Sequence, residues 1–299
     1  MKVLCLGHAA YDITIPLDEF PKENTKNRVN MRVECGGGPA SNAAYLLGKW
    51  GVEVYFAGVV GDDEYGQTIK RELESVNVNT DYLEINPEFI TTSSFIIANK
   101  SNGSRTILTY RPKEMKMSGL NLNFTPDVIL IDGQEYEISK QVLRAYPNAI
   151  SIIDAGRATP EIIELSKMVN YLVCSKRFAE EVTGIKIDYD NKETIVNLYN
   201  KLKEMFKNTI VVTLEKKGCL YEKNGAIKIM PSIKVKAIDS TGAGDIFHGA
   251  FTYGIVKKME FEQILKLANI AGALSVTRIG GRNSVFSLEE IKKVYGEIR

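Results

Sequence analysis

The chain has 299 residues, of which 44% are apolar and 25% are charged, an ordinary globular composition with enough apolar material for a buried core. Its 38 basic and 37 acidic side chains give a formal net charge of +1, which provides no overall field for attracting nucleic acid or an anionic membrane. No apolar run approaches the ~20 residues that a membrane-spanning helix requires, and the first seven residues resemble a β-strand rather than a signal peptide. We therefore expect a soluble cytoplasmic protein with neither nucleic acid nor membrane as a partner.

Runs of β-branched residues alternate with amphipathic patterns along most of the chain, which is typical of strands separated by helices. The predicted strands are Val3–Leu6, Val54–Val60, Val128–Ile131, Ile150–Asp154, Tyr171–Cys174 and Thr209–Leu214. The predicted helices cover residues 41–50, 64–76, 139–146, 160–168, 176–183, 193–206, 245–258, 260–277 and 288–298. Because these strands are apolar on both faces, we predict a three-layer α/β fold with a doubly wound, mostly parallel sheet. Such sheets bind ligands at the carboxyl ends of their strands, so functional residues are expected in the loops that follow.

Two stretches interrupt this alternation and show the pattern of half-exposed strands. The first covers residues 12–34 and includes a strand expected at 28–34, and the second covers residues 91–111 and has the pattern of a hairpin, with Asn-Gly at 102–103. We predict that they form a small antiparallel sheet that covers the strand ends as a lid. Since the sequence shows no linker, repeat or low-complexity tract, we expect one domain, residues 1–299, with this lid inserted.

The four cysteines, at positions 5, 35, 174 and 219, form no Cys-x-x-Cys pair, and the chain has only two histidines. A zinc site built from Cys and His is therefore disfavoured. We expect reduced cysteines in the core.

The segment from Asp239 to Asp245 reads DSTGAGD and precedes a helical pattern that starts at Asp245. Its small residues, Gly242, Ala243 and Gly244, would leave the N–H groups of a helix N-terminus open to an anion such as phosphate. An acid beside such a site suggests a general base that takes a proton from a hydroxyl while this hydroxyl attacks a phosphoryl group. The alternative is that Asp245 simply caps its helix, and the local pattern leaves both interpretations open.

Three glycines, Gly36 to Gly38, precede a second helical pattern that contains Asn42. Glycines permit a ligand to approach the backbone, and Asn42 can both donate and accept hydrogen bonds. A glycine-rich turn into a core helix is the alternative. The missing Gly-Lys-Ser/Thr weighs against a Walker-type phosphate loop, and the lack of Gly-x-Gly-x-x-Gly after the first strand disfavours a nicotinamide dehydrogenase.

Together, these two segments resemble the paired signature motifs of the ribokinase (PfkB-type) carbohydrate kinase family. The similarity includes Gly36 to Asn42, Gly51, Gly61 and the segment ending at Asp245, and it extends over essentially the whole chain. It implies a ribokinase-like fold and transfer of the γ-phosphoryl group of ATP to a hydroxymethyl group of a small sugar, with Mg²⁺ present. It also implies that Asp245 is the catalytic base and that Gly242, Ala243 and Gly244 form the anion hole for the γ-phosphoryl group.

The same resemblance suggests the remaining site residues. The sugar would be bound by Asp12, Gly37, Gly38, Asn42 and Asp245. The nucleotide would lie along the loop Thr213–Gly218, which includes Lys216, and against a helix that carries Asn269, Gly272 and Ala273. A monovalent cation such as K⁺ would be held beside the anion hole by Asp239, Thr241, Ser275, Arg278, Gly280 and Ser284, several of them through backbone carbonyls.

The chain departs from the family pattern around the nucleotide. Ser175 and Phe178 replace the Asn-x-x-Glu that organises Mg²⁺ and phosphates in many members, so Mg²⁺ would be held by ATP phosphates, water and other acids. A glycine common in the nucleotide loop is Glu215 here. Lys216 or Arg157 could supply positive charge to a phosphate.

Three stretches, residues 20–26, 93–107 and 174–176, are most similar to ketohexokinases, which favours a ketohexose as the substrate. Pro39 replaces a polar residue of that subgroup, so the sugar contacts should differ somewhat. An inward-facing Arg105 in the lid would suit an anionic substrate. The alternatives are a nucleoside kinase, a phosphosugar kinase and, from another class, a catalytically silent sugar-binding regulator. Because lid sheets in this family often pair between subunits, the resemblance also suggests a homodimer.

Overall fold

The computed structural model describes residues 1–297. In chain order its strands are β1 (Val3–Leu6), β2 (Ala10–Leu17), β3 (Val33–Gly37), β4 (Val54–Gly61), β5 (Asn79–Asn86), β6 (Ser93–Asn99), β7 (Arg105–Tyr110), β8 (Val128–Ile131), β9 (Ile150–Ala155), β10 (Tyr171–Ser175), β11 (Thr209–Thr213), β12 (Cys219–Lys223) and β13 (Ala226–Met230). Its helices are α1 (Pro39–Lys49), α2 (Glu64–Ser75), α3 (Tyr136–Ala145), α4 (Pro160–Ser166), α5 (Lys176–Thr183), α6 (Lys192–Met205), α7 (Ala243–Val256), α8 (Phe261–Ser275) and α9 (Leu288–Glu297). Position 298 of the last predicted helix lies outside the described residues. Within residues 1–297, none of the helices has both the length and the apolar character needed to cross a bilayer.

Nine strands form one sheet in the order β13-β12-β11-β10-β9-β8-β1-β4-β5. Every neighbouring pair from β11 to β5 is parallel, whereas β12 and β13 join antiparallel at one edge. Alternation along β1 directs Val3 and Cys5 into the core beneath α1, α7 and α8, and directs Leu4 and Leu6 into a second core on the opposite face. The predicted three-layer α/β fold is confirmed, and all four cysteines are buried and free.

The structure contains three strands of this sheet that the sequence patterns did not predict. The edge strand β5 is largely polar and only partly buried, so it lacks the apolar run that identifies its neighbours. The strands β12 and β13 form a hairpin in which Asn224 and Gly225 have φ values of 52° and 79°. These left-handed values are what a two-residue hairpin turn requires, so this Asn-Gly pair was the available signal.

Four strands form a second, smaller sheet, here called the lid sheet, in the order β3-β2-β6-β7. The predicted small antiparallel sheet is confirmed for two of its three strand pairs, whereas β2 and β6 run parallel. The strand expected at 28–34 is also largely wrong, since β3 begins at Val33 and residues 28–32 are an exposed loop. The predicted hairpin is confirmed as β6 and β7. The single domain with an inserted lid stays a prediction.

Candidate active site

The two glycine-rich segments meet at the carboxyl edge of the large sheet. Asn42, in the first turn of α1, donates from Nδ2 to Oδ2 of Asp245, in the first turn of α7, at 2.7 Å. Each helix follows a glycine with positive φ, Gly38 at 94° and Gly242 at 74°. The structure therefore joins two segments that are 203 residues apart in sequence.

The first turn of α7 presents backbone N–H groups to open space. This helix begins at Ala243, two residues before the predicted start, because Gly242 takes the left-handed conformation at its N-terminus. Gly244 is exposed, and a β-carbon built on it would contact nothing within 4 Å. The N–H of Ala243 donates to the carbonyl oxygen of Ser240 at 3.4 Å, whereas no such bond is found for Gly244 among the described residues outside the helix. An open N–H group and the positive end of the helix dipole together favour an anion at this turn. The alternative that Asp245 caps its helix is wrong. Gly242 occupies the N-cap position, and among the described residues no side chain caps this helix. The Asp245 carboxylate instead accepts a hydrogen bond from Asn42.

Asp12 is a buried carboxyl group that lies against the glycine loop. It projects from β2, and a β-carbon built on Gly37 in β3 would lie 2.1 Å from its Oδ2, so only glycine leaves room for this carboxylate. Burial, followed by the negative charge of Asp245, raises the pKa of Asp12 to about 7, against the opposing effects of a Ser94 hydrogen bond and the Arg282 guanidinium. Hydroxyl donors from a ligand would satisfy this carboxylate.

A second carboxylate near Asp245 was missed by the sequence reasoning. Asp154 is the last residue but one of β9, and its Oδ2 lies 3.2 Å from Nδ1 of His248 on α7. The same Nδ1 is 2.7 Å from the carbonyl oxygen of Gly244, and Nε2 is 3.0 Å from that of Val173. Burial raises the pKa of Asp154 to about 6, with His248 opposing this shift and Asp245 adding to it. The position of Asp154 at a strand end was the available signal, whereas nothing in the sequence marked His248.

The two ends of the lid hairpin carry arginines that are both engaged within the protein. Arg105 donates to the hydroxyl of Ser240 at 2.6 Å, just before the anion-binding turn. Arg111 contacts Nδ1 of His8 at 2.7 Å and forms an ion pair with the buried Glu135 at 3.2 Å. Neither guanidinium is therefore left without protein partners.

The loop proposed for the nucleotide is tightly constrained. Glu215 has a φ of 53°, a left-handed value that favours glycine, which gives a physical reason for the glycine of related sequences. Gly218 has a φ of 102°, and a β-carbon on it would lie 1.9 Å from the carbonyl oxygen of Met230. Thr213 ends β11 at half-buried depth, and Lys216 is exposed on the turn.

Helix α8 passes close to the start of α7. A β-carbon on Gly272 would lie 3.2 Å from the carbonyl oxygen of Ala243, so this glycine permits the approach. Ala273 follows at intermediate burial. Asn269 is buried and donates to the carbonyl of Met230 at 3.1 Å, which fastens α8 to β13.

The side chains of the six residues suggested for a monovalent cation have different partners, and their grouping around a cation stays a prediction. Buried Asp239 accepts the N–H groups of Thr241 and Gly280 at 2.9 and 2.8 Å, and the buried hydroxyl of Thr241 has no partner in the described structure. These oxygens fit a hard cation. The Ser275 and Ser284 hydroxyls donate to Gly272 and Gly281 carbonyls, and the Arg278 side chain pairs with Glu290 away from this cluster.

The position of the missing Asn-x-x-Glu offers no ligand for Mg²⁺. Ser175 caps α5 by accepting from Phe178 N–H and donates to the carbonyl of Gly156, while the Phe178 ring is fully buried. Residues 1–297 contain no group of three or more His, Cys, Asp or Glu side chains placed to hold a metal. Asp245 and Asp154 remain as acidic oxygen donors near the anion-binding turn.

Comparison with known proteins agrees with this geometry. The model of the pfkB family carbohydrate kinases matches residues 1–287. The chain is 24% identical to a ribokinase from Haemophilus influenzae over 97% of this chain and 96% of that protein, and 26% identical to a nucleoside kinase from Methanocaldococcus jannaschii over 88% and 86%. The ribokinase of Arabidopsis thaliana complexed with ribose and ATP has the same fold, with a TM-score of 0.81, 23% identity and 98% coverage of each chain. The chain therefore belongs to the pfkB family of carbohydrate kinases, which transfer a phosphoryl group from ATP to a sugar hydroxyl.

Proposed function

We propose that this kinase phosphorylates the hydroxymethyl group of a small, uncharged sugar. The observation that carries the proposal is the position of Asp245, which Asn42 holds beside the open N-terminus of α7. Asp245 takes the proton of the sugar hydroxyl while the hydroxyl oxygen bonds to the γ-phosphorus. The bond from the γ-phosphorus to the bridging oxygen breaks, and ADP leaves with its electron pair. The N–H groups of Gly242, Ala243 and Gly244 stabilise the phosphoryl oxygens during transfer.

The nucleotide and its cations follow from the same arrangement. ATP would lie along the Thr213–Gly218 loop, where the exposed Lys216 can approach its phosphates. Mg²⁺ bound to those phosphates would neutralise part of their charge. The unpartnered hydroxyl of Thr241 beside Asp239 supports a monovalent cation next to the anion hole.

The charges around the sugar site favour an uncharged acceptor. Asp12 and Asp245 lie close enough that the charge of one raises the pKa of the other. Arg105 and Arg111, the arginines at the hairpin ends, are bonded within the protein. An anionic sugar phosphate would therefore meet carboxylates without an uncommitted lid arginine.

Two acceptor classes fit this site. A ketohexose is the candidate from the sequence, and the similarity to ribokinase adds a pentose such as ribose. A nucleoside is the second candidate, supported by the 26% identity to a nucleoside kinase. A catalytically silent regulator is disfavoured, because the base and the anion-binding turn are both intact.

Replacing the base should remove phosphoryl transfer without removing the nucleotide. Asp245→Asn is expected to lower kcat by about 10²-fold or more, because the amide cannot take the hydroxyl proton. Coupled ADP-release kinetics would measure kcat, and calorimetry would show nearly unchanged ATP binding. Asp81→Asn, an exposed change on β5, is the control. An unchanged kcat for Asp245→Asn would reject the assigned base.

The raised pKa of Asp12 predicts opposite pH effects on binding and stability. Sugar kcat/KM should rise through about pH 7, as Asp12 ionises and can accept two hydroxyl groups. The folded protein binds this proton more tightly than the unfolded chain does, so the free energy of unfolding falls as the pH rises from about 4 to about 7 and stays lower above pH 7. Asp12→Asn should therefore lose most sugar kcat/KM yet show a higher Tm than the parent at pH 8, with a smaller difference at pH 5. Equal Tm differences at both pH values would contradict this account.

An acceptor screen tests the substrate class. ADP release would be measured with D-fructose, D-ribose, inosine, fructose 6-phosphate and ribose 5-phosphate under identical ATP and Mg²⁺. We expect at least one uncharged acceptor to exceed both sugar phosphates by about 10²-fold or more in kcat/KM, because like charges placed side by side cost several kcal/mol. Preference for either phosphate would overturn the proposed class.

We also propose that a second copy of the chain covers the lid sheet, in a cytoplasmic homodimer. β7 is exposed along its whole length, and Leu108 and Tyr110 are 61% and 56% exposed. The four free cysteines support a reducing compartment. Light scattering of the eluting protein should give a dimer mass that Leu108→Lys shifts to the monomer, with Val196→Lys on α6 as control. A monomeric parent would contradict the dimer.

A further inference from the structure

The turn that follows α8 places a buried arginine between the two halves of the site. Arg282 begins the short 3₁₀ turn Arg282–Ser284 and is only 2% exposed. A guanidinium stays charged at physiological pH, so its burial requires a counter-charge and several hydrogen-bond acceptors. Neither glycine-rich segment contains this residue.

The Arg282 guanidinium joins helices α1 and α2. Its Nη1 donates to Oε2 of Glu72 on α2 at 2.7 Å and to the carbonyl of Ile69 at 3.4 Å. Its Nη2 donates to the hydroxyl of Ser41, the residue before Asn42 on α1. The ion pair is buried mainly on the arginine side, because Glu72 keeps 28% of its side chain exposed.

The same guanidinium lies directly against the sugar loop Gly36–Gly38. A β-carbon built on Gly36 would lie 2.1 Å from Nη1 of Arg282, so no other residue fits without displacing it. Glu72 Oε2 also accepts the backbone N–H of Gly36 at 2.8 Å. One carboxylate oxygen therefore fixes the arginine and the loop to each other.

The residue beside Arg282 contacts the other half of the site. A β-carbon on Gly281 would lie 3.3 Å from Nδ2 of Asn42, the atom that donates to Asp245. A β-carbon on Gly242 would lie 3.2 Å from the α-carbon of Gly281. The turn is thus wedged between the sugar loop and the anion-binding turn.

One N–H group of the Arg282 side chain is buried without a hydrogen-bond acceptor among the described residues, which disfavours folding rather than stabilising it. Its Nε is buried and lacks a hydrogen-bond partner within residues 1–297. An apolar side chain of similar volume would avoid this unpaired donor. Such a side chain would, however, supply neither the charge nor the hydrogen bonds that Arg282 makes to Glu72 and Ser41.

On the basis of the kinase function proposed above, we propose that Arg282 is a positioning residue that holds the sugar loop and Asn42 in register with Asp245. It does not contact the reacting atoms. Its loss should loosen both the sugar site and the Asn42–Asp245 hydrogen bond. The nucleotide loop 213–218 makes no contact with Arg282 among the described hydrogen bonds and ion pairs, so ATP affinity should be preserved.

The charge of Arg282 gives a second readout. Arg282 lowers the pKa of Asp12, whereas Asp245 and Asp239 raise it. The neighbouring thiol of Cys35 stays protonated near neutral pH, because burial raises its pKa to about 11. Removal of the guanidinium should raise the pKa of Asp12. The rise of sugar kcat/KM with pH should then occur at a higher pH.

The test compares Arg282→Met, Glu72→Gln and the control Arg71→Met, whose arginine pairs with Glu64 on the exposed face of α2. The acceptor is whichever of D-fructose, D-ribose and inosine the parent uses best. For Arg282→Met we expect sugar KM to rise about tenfold and kcat to fall about tenfold, with ATP KM within about twofold, the size of effect that a misplaced site produces. Glu72→Gln removes the counter-charge of the guanidinium, so the positive charge should lower the pKa of Asp12 further. The rise of sugar kcat/KM with pH should then occur at a lower pH, the opposite of the shift expected for Arg282→Met. Arg71→Met should change none of these values.

Hydrogen–deuterium exchange separates this inference from the function it rests on. Arg282→Met should expose the amides of residues 33–42 to faster exchange, while the Arg71→Met pattern stays that of the parent. If the parent phosphorylates none of the acceptors, the proposed function fails, and the exchange result alone tests the role of Arg282.

If Arg282→Met does not fold, Ser41→Ala is expected to give the same loss of sugar kcat/KM, with a smaller magnitude and with ATP KM preserved. Unchanged exchange at 33–42 with unchanged sugar KM, or equal losses for sugar and ATP, would overturn the inference.

Discussion

A single hydrogen bond, from Asn42 to Asp245 at 2.7 Å, fixes the distance between the two working parts of this molecule. It joins the first turn of α1, which follows the sugar loop, to the first turn of α7, where N–H groups are open to an anion. Both helices contact the carboxyl edge of the large sheet: Asp132, directly after β8, accepts the N–H of Ala40 on α1 at 3.1 Å, and Asp154 in β9 lies 3.2 Å from His248 on α7. Under the proposed mechanism, this contact would align the Asp245 carboxylate and the anion-binding turn with the sugar loop.

The site places several carboxyl groups close together and away from water, where ionising each of them costs free energy. Burial raises the pKa of both Asp12 and Asp154, and the negative charge of Asp245 adds to each shift. His248 and Arg282 act in the opposite direction, on Asp154 and Asp12 respectively. Under the proposed mechanism, this balance would keep carboxylates available for hydroxyl groups and a proton, and it would disfavour an acceptor with its own negative charge.

The sequence identified what is local and left out what comes from distant segments. The glycine-rich turns could be predicted, because their residue types allow few other structures, and the parallel sheet followed from its apolar strands. Asp154, His248 and Arg282 are common residue types whose meaning comes from the elements packed beside them, so no spacing revealed them. The polar strand β5 and the parallel pairing of β2 with β6 were not predicted for a related reason, since both depend on strands that are remote in the chain. The roles of the site residues stay predictions.

The most direct measurement of the central claim is a crystal structure with ADP, aluminium fluoride and the preferred acceptor, which together imitate the phosphoryl group in transfer. We expect the fluoride complex within hydrogen-bond distance of the Gly244 N–H group at the start of α7, with the acceptor hydroxyl between the metal fluoride and the Asp245 carboxylate. A fluoride complex bound away from the start of α7, or an acceptor hydroxyl directed away from Asp245, would contradict it.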